Sequence, residues 1–331
     1  MKENKSVIIW LFSGCFLIFA MVLIGGITRL TDSGLSMTTW KLLGGAPPLN
    51  LNEWGVAFDL YKASPEGKMN AHYVLEDFKS IFFWEYLHRM IGRLLGLVFL
   101  IPFVYFLIKK RLSKKLILQS CILLIMGSSQ GVIGWWMVKS GLIDRPDVSH
   151  FRLAIHLLMA FLTCAYTLWI ALPLLFPLPK DGNKTIFKQI FALFILVVMQ
   201  IIYGAFIAGL KAGRIYNTWP KMGEQWMPES VFLDPGAQSQ FIHRTLALII
   251  MAFTFYIWQK GRRIKLSKLQ KKSLDIVVII VSIQIILGIL TLVMAVPISL
   301  ALTHQIVAFF LLLSLVFNLF LFKKSQPKID L

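Results

Sequence analysis

Residues 80–108 read SIFFWEYLHRMIGRLLGLVFLIPFVYFLI. A helix needs about 20 apolar residues to cross a bilayer, and this stretch exceeds that. Near its start it nevertheless carries Glu85, His88, Arg89 and Arg93. Ionisable groups inside a span are costly and mark function. Seven further stretches qualify as spans: 7–28, 116–138, 151–176, 189–210, 239–259, 273–296 and 301–322. The fold class is therefore an all-α polytopic membrane protein with eight transmembrane helices. The second span is long enough to begin as an interfacial helix. The first has Lys2 and Lys5 before it, like a signal peptide. No small-residue cleavage site follows, and the run continues into Gly25-Gly26-Ile27-Thr28, so it reads as a retained span.

The chain has 34 Lys+Arg against 16 Asp+Glu, a formal charge of +18. Such a balance on a soluble protein would suggest nucleic acid. With 57% hydrophobic and only 15% charged residues, there is too little polar surface for that reading or for disorder. The charge instead reports topology. The N-terminus, the connections 109–115, 177–188 and 260–272, and the tail together hold 20 basic residues, among them Lys180 and Lys328, against three acids, with Asp275 at the near end of the seventh span as a fourth. The segments 29–79, 139–150, 211–238 and 297–300 hold ten basic residues and eleven acids. The positive-inside rule puts both termini and the basic loops in the cytoplasm, with the long loops 29–79 and 211–238 outside. Cys15, Cys121 and Cys164 fall in spans, where small buried hydrophobes are expected and disulfides are not.

The chain repeats itself. SGLSMTTW (33–40) pairs with AGRIYNTW (212–219), and EYLHR (85–89) with QFIHR (240–244). QGVIG (130–134) pairs with QIILG (284–288), and AIHLLMAF in the fourth span with LTHQIVAF in the eighth. Four matches in one order define two halves, 1–180 and 181–331. Each half has four spans, so both share one orientation. The expectation is a parallel repeat of two pseudo-symmetric four-helix bundles. The first half has the larger outer loop: Trp40 and His88 lie 48 residues apart, Trp219 and His243 only 24. Residues 52–63, NEWGVAFDLYKA, suit an amphipathic helix there.

Of six histidines, His72 and His150 lie in outer segments without counterparts. His88, His156, His243 and His304 fall one each on spans two, four, six and eight, within about the first two turns. A lone span histidine more often just hydrogen-bonds a neighbour. Four on alternate helices of a duplicated bundle point to haem, with one imidazole on each face of an iron. Zinc or non-haem iron would want carboxylates or more histidines around one point. Arg89 and Arg244 follow the repeated histidines, and Arg93 and Arg152 add charge nearby. They either bind haem propionates or snorkel to the interface. Glu85 is matched by Gln240, three residues before the histidine in each half. A proton-moving reaction needs a titratable group that an electron-carrying haem does not. The first half is thus the expected reaction site and the second a redox relay.

These segments resemble the haem A synthase family, in the branch without a cysteine pair in the first outer loop. The resemblance rests on GGITRLTDSGLSMTTWKLLGGAPP (25–48), EYLHRMIGRLLGL (85–97), RLAIHL (152–157), AGLKAGRIYNTWPKMGEQWMP (208–228), FIHR (241–244) and LTHQ (302–305). It implies an enzyme that oxidises a methyl group of haem O to a formyl group, giving haem A for terminal oxidases, with haem b as cofactor. It implies that His243 and His304, with Arg244 beside them, hold haem b. His88 and His156, with Arg89 and Arg93, would hold substrate haem, and Glu85 would be catalytic. Haem O synthase, cytochrome oxidase assembly factors and a second copy of the chain are the partners to expect, without nucleic acid, in a bacterial inner membrane. The electron acceptor is left open. The alternatives are a diheme cytochrome that only transfers electrons and a non-catalytic haem carrier. Neither calls for an acid in one half alone.

Overall fold

The computed structural model describes residues 2–39, 46–141, 148–177 and 181–324. Trp40, Lys180 and Lys328 lie outside the described residues. The chain is helical, with α1 (Lys2–Leu30), α2 (Leu51–Ala63), α3 (Pro65–Met69), α4 (Leu75–Ile108), α5 (Lys114–Gly141), α6 (His150–Leu175), α7 (Lys184–Gly209), α8 (Ser230–Leu233), α9 (Pro235–Arg262), α10 (Lys268–Val293) and α11 (Ile298–Phe322). No strand occurs among the described residues. Eight of these helices are long and apolar enough to cross a membrane: α1, α4, α5, α6, α7, α9, α10 and α11. They coincide with the eight stretches expected from the sequence. In hydrocarbon every backbone N–H and C=O must be satisfied internally, so apolar runs of this length have no option but helix.

Helix ends outside the apolar runs are set by local chemistry. Asn50 accepts from Glu53 N and donates back to the Glu53 carboxylate, starting α2. Asp234 accepts from Ala237 N, with Pro235 in the first turn of α9. Ser267 and Gln270 exchange hydrogen bonds across the first turn of α10. The seventh span ends slightly earlier than its apolar run, because Ala295 and Val296 take positive φ of 57° and 66°.

The described chain forms two compact units, residues 13–160 and residues 1–12 with 161–331. In the second, α7 packs on α9 and α11, and α10 packs on the same two helices, closing a four-helix bundle. Its core includes Ile190, Leu193, Val197, Ile257, Val277, Val281, Leu312 and Leu315. Asn318 and Ser273 satisfy one another inside it.

In the unit 13–160, α4 packs on α5 and also supports α2. The 34 residues of α4 would be about 51 Å long at 1.5 Å per residue, well beyond a bilayer core. Its first turns belong to the same unbroken helix. They continue the span outward into an aromatic cap in which Phe78, Ile81 and Phe82 pack with Tyr61 of α2, flanked by Trp54 and Phe58. The expected amphipathic helix at 52–63 is α2. Gly67 allows α3 to fold back on α2: a Cβ there would lie 2.0 Å from the Tyr61 carbonyl oxygen. Burial pushes the Tyr61 phenol up to about 12, and its hydroxyl accepts from Asn70.

Two outcomes test this cap. Phe78→Ala removes its central ring and should cost about 3–5 kcal/mol of cap stability. This would be read as protease cleavage within residues 46–79 under conditions that leave wild type intact. The raised Tyr61 value favours the neutral phenol in the folded cap, so this contribution is full below pH 10 and lost as pH rises toward about 12. Tyr61→Phe should remove that alkaline step from the cleavage profile.

Candidate haem sites

The four repeated histidines lie on α4, α6, α9 and α11, and each imidazole rests on a glycine of the span before it. A Cβ on Gly25 would lie 3.2 Å from the His88 ring, and one on Gly134 would lie 3.3 Å from that of His156. In the other unit the distances are 3.2 Å from Gly204 to His243 and 2.9 Å from Gly288 to His304. Any larger residue would press on the ring. His156 and His304 stand six residues after the first residue of their helices and His243 eight, as the early-turn expectation requires. His88 stands thirteen residues in, because α4 begins in the cap.

The pair His243–His304 can be tested for an iron between its rings. Imidazole–metal bonds of about 2 Å on opposite sides of one ion would put the ring centroids roughly 6–6.5 Å apart. The observed separation is 6.4 Å, with the planes at 66°. Each ring also has a buried Nδ1 with no hydrogen-bond partner among the described residues. No group of three or more His, Cys, Asp or Glu suited to a metal occurs among the described residues. A two-ligand site with its remaining donors on a porphyrin fits this set. A zinc or non-haem iron site built from side chains does not.

Glutamines engage three of the four histidines, two at the ring and one at the backbone carbonyl. Gln200 Nε2 donates to the His243 carbonyl at 3.0 Å. Gln284 Nε2 lies 3.3 Å from His304 Nε2. With its amide oriented to satisfy both ends, Gln130 places nitrogen 3.2 Å from the His156 carbonyl oxygen and 3.0 Å from its Nδ1.

Glu85 is buried, and both carboxylate oxygens are engaged. Oε2 accepts from Ser36 Oγ at 2.6 Å and Met37 N at 2.8 Å, and Oε1 accepts from Arg89. Arg89 also donates to the carbonyls of Met37 and Thr39. The same clamp recurs in the other unit with one change. Gln240 Nε2 donates to the Tyr216 carbonyl at 3.1 Å, and Arg244 donates to Tyr216, Thr218 and Lys221 carbonyls. The acid-or-amide and the arginine thus fasten the connecting segment onto the span. Where Glu85 stands, the loop presents an N–H and a hydroxyl. Where Gln240 stands, it presents a carbonyl. Arg244 Nε is a buried donor without a partner among the described residues. Arg152 donates to the Trp136 carbonyl and stacks on the Trp136 ring at 4.2 Å. Arg93 lies one turn beyond Arg89, with Nη1 3.7 Å from Met90 Sδ.

The histidines, Glu85 and the arginines are read from sequence. The four glycines, the role of the glutamines and Ser36 are not. The available signal is the spacing Q-x-x-x-G at 130–134 and 284–288, which recurs as QIIYG at 200–204 and loses its glutamine in MVLIG at 21–25. The repeat unit is therefore also visible at the level of one helix hairpin. Gly288→Ala should crowd the His304 imidazole and, at about 1–3 kcal/mol for overpacking, weaken ligand retention by that pair some 5- to 100-fold. The check is the haem content of purified protein by pyridine haemochrome, at unchanged expression.

A family model described as cytochrome oxidase assembly protein, COX15-CtaA, matches residues 8–316. The chain is 49% identical over 335 residues to a heme A synthase of Flavobacterium johnsoniae, covering 96% of this chain and 98% of that protein. It is 49% identical to a heme A synthase of Flavobacterium psychrophilum over 98% of this chain and 100% of that one. A heme A synthase of Nitrosospira multiformis is 42% identical over 91% of this chain and 89% of its own length. The family match runs from the first span into the eighth and spans the positions of all four glycine-seated histidines, and the protein belongs to the COX15-CtaA family of cytochrome oxidase assembly proteins.

Proposed function

We propose that this protein is a membrane oxidoreductase that makes haem A by oxidising a methyl group of haem O to a formyl group. The observation that carries the reading is one difference between two otherwise matching clamps: a buried carboxylate, Glu85, beside His88, and a neutral amide, Gln240, beside His243. Its similarity to heme A synthases supports the same chemistry. The half 1–180 holds the substrate between His88 and His156, and the half 181–331 holds haem b between His243 and His304. Haem b in that position supplies a one-electron relay toward an acceptor.

The chain's own residues then do the following. His88 and His156 hold the substrate iron and fix the porphyrin beside α4. Converting a methyl to a formyl releases protons, and Glu85 is the acid–base group at that site. Ser36 and Met37 N hold its Oε2, and Arg89 holds its Oε1, so the carboxylate is fixed before substrate arrives. Arg93 and the spare Nε of Arg244 are the donors for propionates, while most of the capacity of Arg89 goes to Glu85 and to loop carbonyls. The charge bias between the loops supports cytoplasmic termini in a bacterial inner membrane, with the outer cap on the far side. The description of the family model supports delivery of the product toward cytochrome oxidase.

Pigment extraction after expression with a source of haem O tests this. Wild type should accumulate haem A. Glu85→Gln should keep haem content within about twofold and lower haem A formation by about 100-fold or more, the usual worth of an acid–base group. Haem b alone in the wild type would identify a diheme electron carrier instead.

A further inference from the structure

Three of the four seat glycines have a glutamine one turn before them: Gln130 before Gly134, Gln200 before Gly204 and Gln284 before Gly288. Residues four apart share a helix face, so glycine and glutamine address the same neighbour. In each case that neighbour is the glycine's own histidine, reached at its carbonyl or at its ring. In α1 the position belongs to Met21, four before Gly25. A thioether donates no hydrogen bond and accepts only weakly. Met21 instead packs its Cε 3.4 Å from where a Cβ of Gly92 would lie.

Gly92 is the second departure. It stands four residues after His88, where Ala160, Ala247 and Ala308 follow the other three histidines. A glycine inside a helix loosens it relative to alanine. At His88, then, the supporting amide is replaced by a flexible side chain, and the helix turn below the ring has its least rigid residue. These two departures lie together beside His88: Met21 stands one turn before its seat glycine, Gly92 one turn after the histidine, and the two meet across α1 and α4.

We propose that the substrate site has one firm and one yielding ligand. His156, tied to Gln130, stays on the iron. His88, seated on Gly25 and backed by Met21 and Gly92, lets go so that substrate enters and product leaves. This rests on the first half being the haem O site. Gln130, Gln200 and Gln284 are positioning residues, and Met21 is what distinguishes an exchanging site from a retaining one. In the other half both histidines have their glutamine, which suits a cofactor that is kept while substrate and product turn over beside the first pair.

The experiment uses the full-length chain purified in detergent, carrying haem b and supplied with haem O. Excess apomyoglobin is added, and the haems left on the protein are separated by chromatography over time. Wild type should lose haem O faster than haem b by at least about tenfold. Met21→Gln, alone and with Gly92→Ala, should slow loss of haem O roughly tenfold, about the worth of one hydrogen bond, and leave the haem b rate unchanged. Gln200→Met should speed loss of haem b by a similar factor and shift its midpoint potential, a readout that a general packing defect would not move at constant melting temperature. If Met21→Gln folds poorly, Gln130→Met carries the test, with faster loss of haem O expected. Unchanged exchange in Met21→Gln and Gln130→Met, in protein that does bind haem O, overturns the inference alone. Failure of wild type to take up any haem O overturns the functional reading, and the inference with it.

Discussion

An imidazole in the hydrocarbon region of a membrane must be held by something other than water. That constraint organises this molecule. Each of the four span histidines is backed by a glycine of the preceding helix, which lets the two backbones come close enough for the ring to be pinned between them. Two of the rings, His156 and His304, are further met by an amide one turn away, and a third amide, Gln200, holds the backbone carbonyl of His243. Polar groups elsewhere in the spans obey the same rule: Asn318 and Ser273 close on each other, and Gln270 caps carbonyls at Asp181 and Leu321. The result is a pair of imidazoles, His243 and His304, whose ring separation already suits an iron between them.

The segments leading into α4 and α9 are fastened to this framework by a second recurring device. In each half an arginine following the histidine reaches back to loop carbonyls, and a residue three before the histidine joins it. The two halves use opposite hydrogen-bond polarity at that residue. Glu85 receives from the loop, and Gln240 gives to it. A carboxylate is thereby kept in one half and excluded from the other without altering the surrounding architecture. On the proposed function, this one difference is what gives the two halves different chemistries on one backbone plan.

Much of this was legible in the sequence, for physical reasons. Long apolar runs must be helices, so the eight spans follow from hydropathy. Charge asymmetry between loops is large enough to suggest an orientation. The histidines stand out because ionisable residues in spans are rare. Glu85 stands out because its repeat partner is neutral. What was not legible depends on side-chain direction across helix pairs. A glycine in a span has many explanations, and only the structure shows Gly25, Gly134, Gly204 and Gly288 each facing an imidazole. The arginines beside the histidines read equally well as propionate ligands or as interfacial anchors. Arg89 and Arg244 spend most of their donors on loop carbonyls, which no spacing rule foretells. The continuation of α4 into the cap escaped the hydropathy reading because the aromatic residues that hold it, Trp54, Phe58 and Tyr61, come from a loop.

The central claim is that two bis-imidazole sites are built on one repeat. Low-temperature electron paramagnetic resonance on purified protein, combined with an iron count, addresses it most directly. With haem O supplied, the account predicts two low-spin irons per chain with two distinguishable bis-imidazole signals, of which His243→Ala and His304→Ala each remove the same one. A single iron per chain, or both signals surviving in His243→Ala, would contradict it.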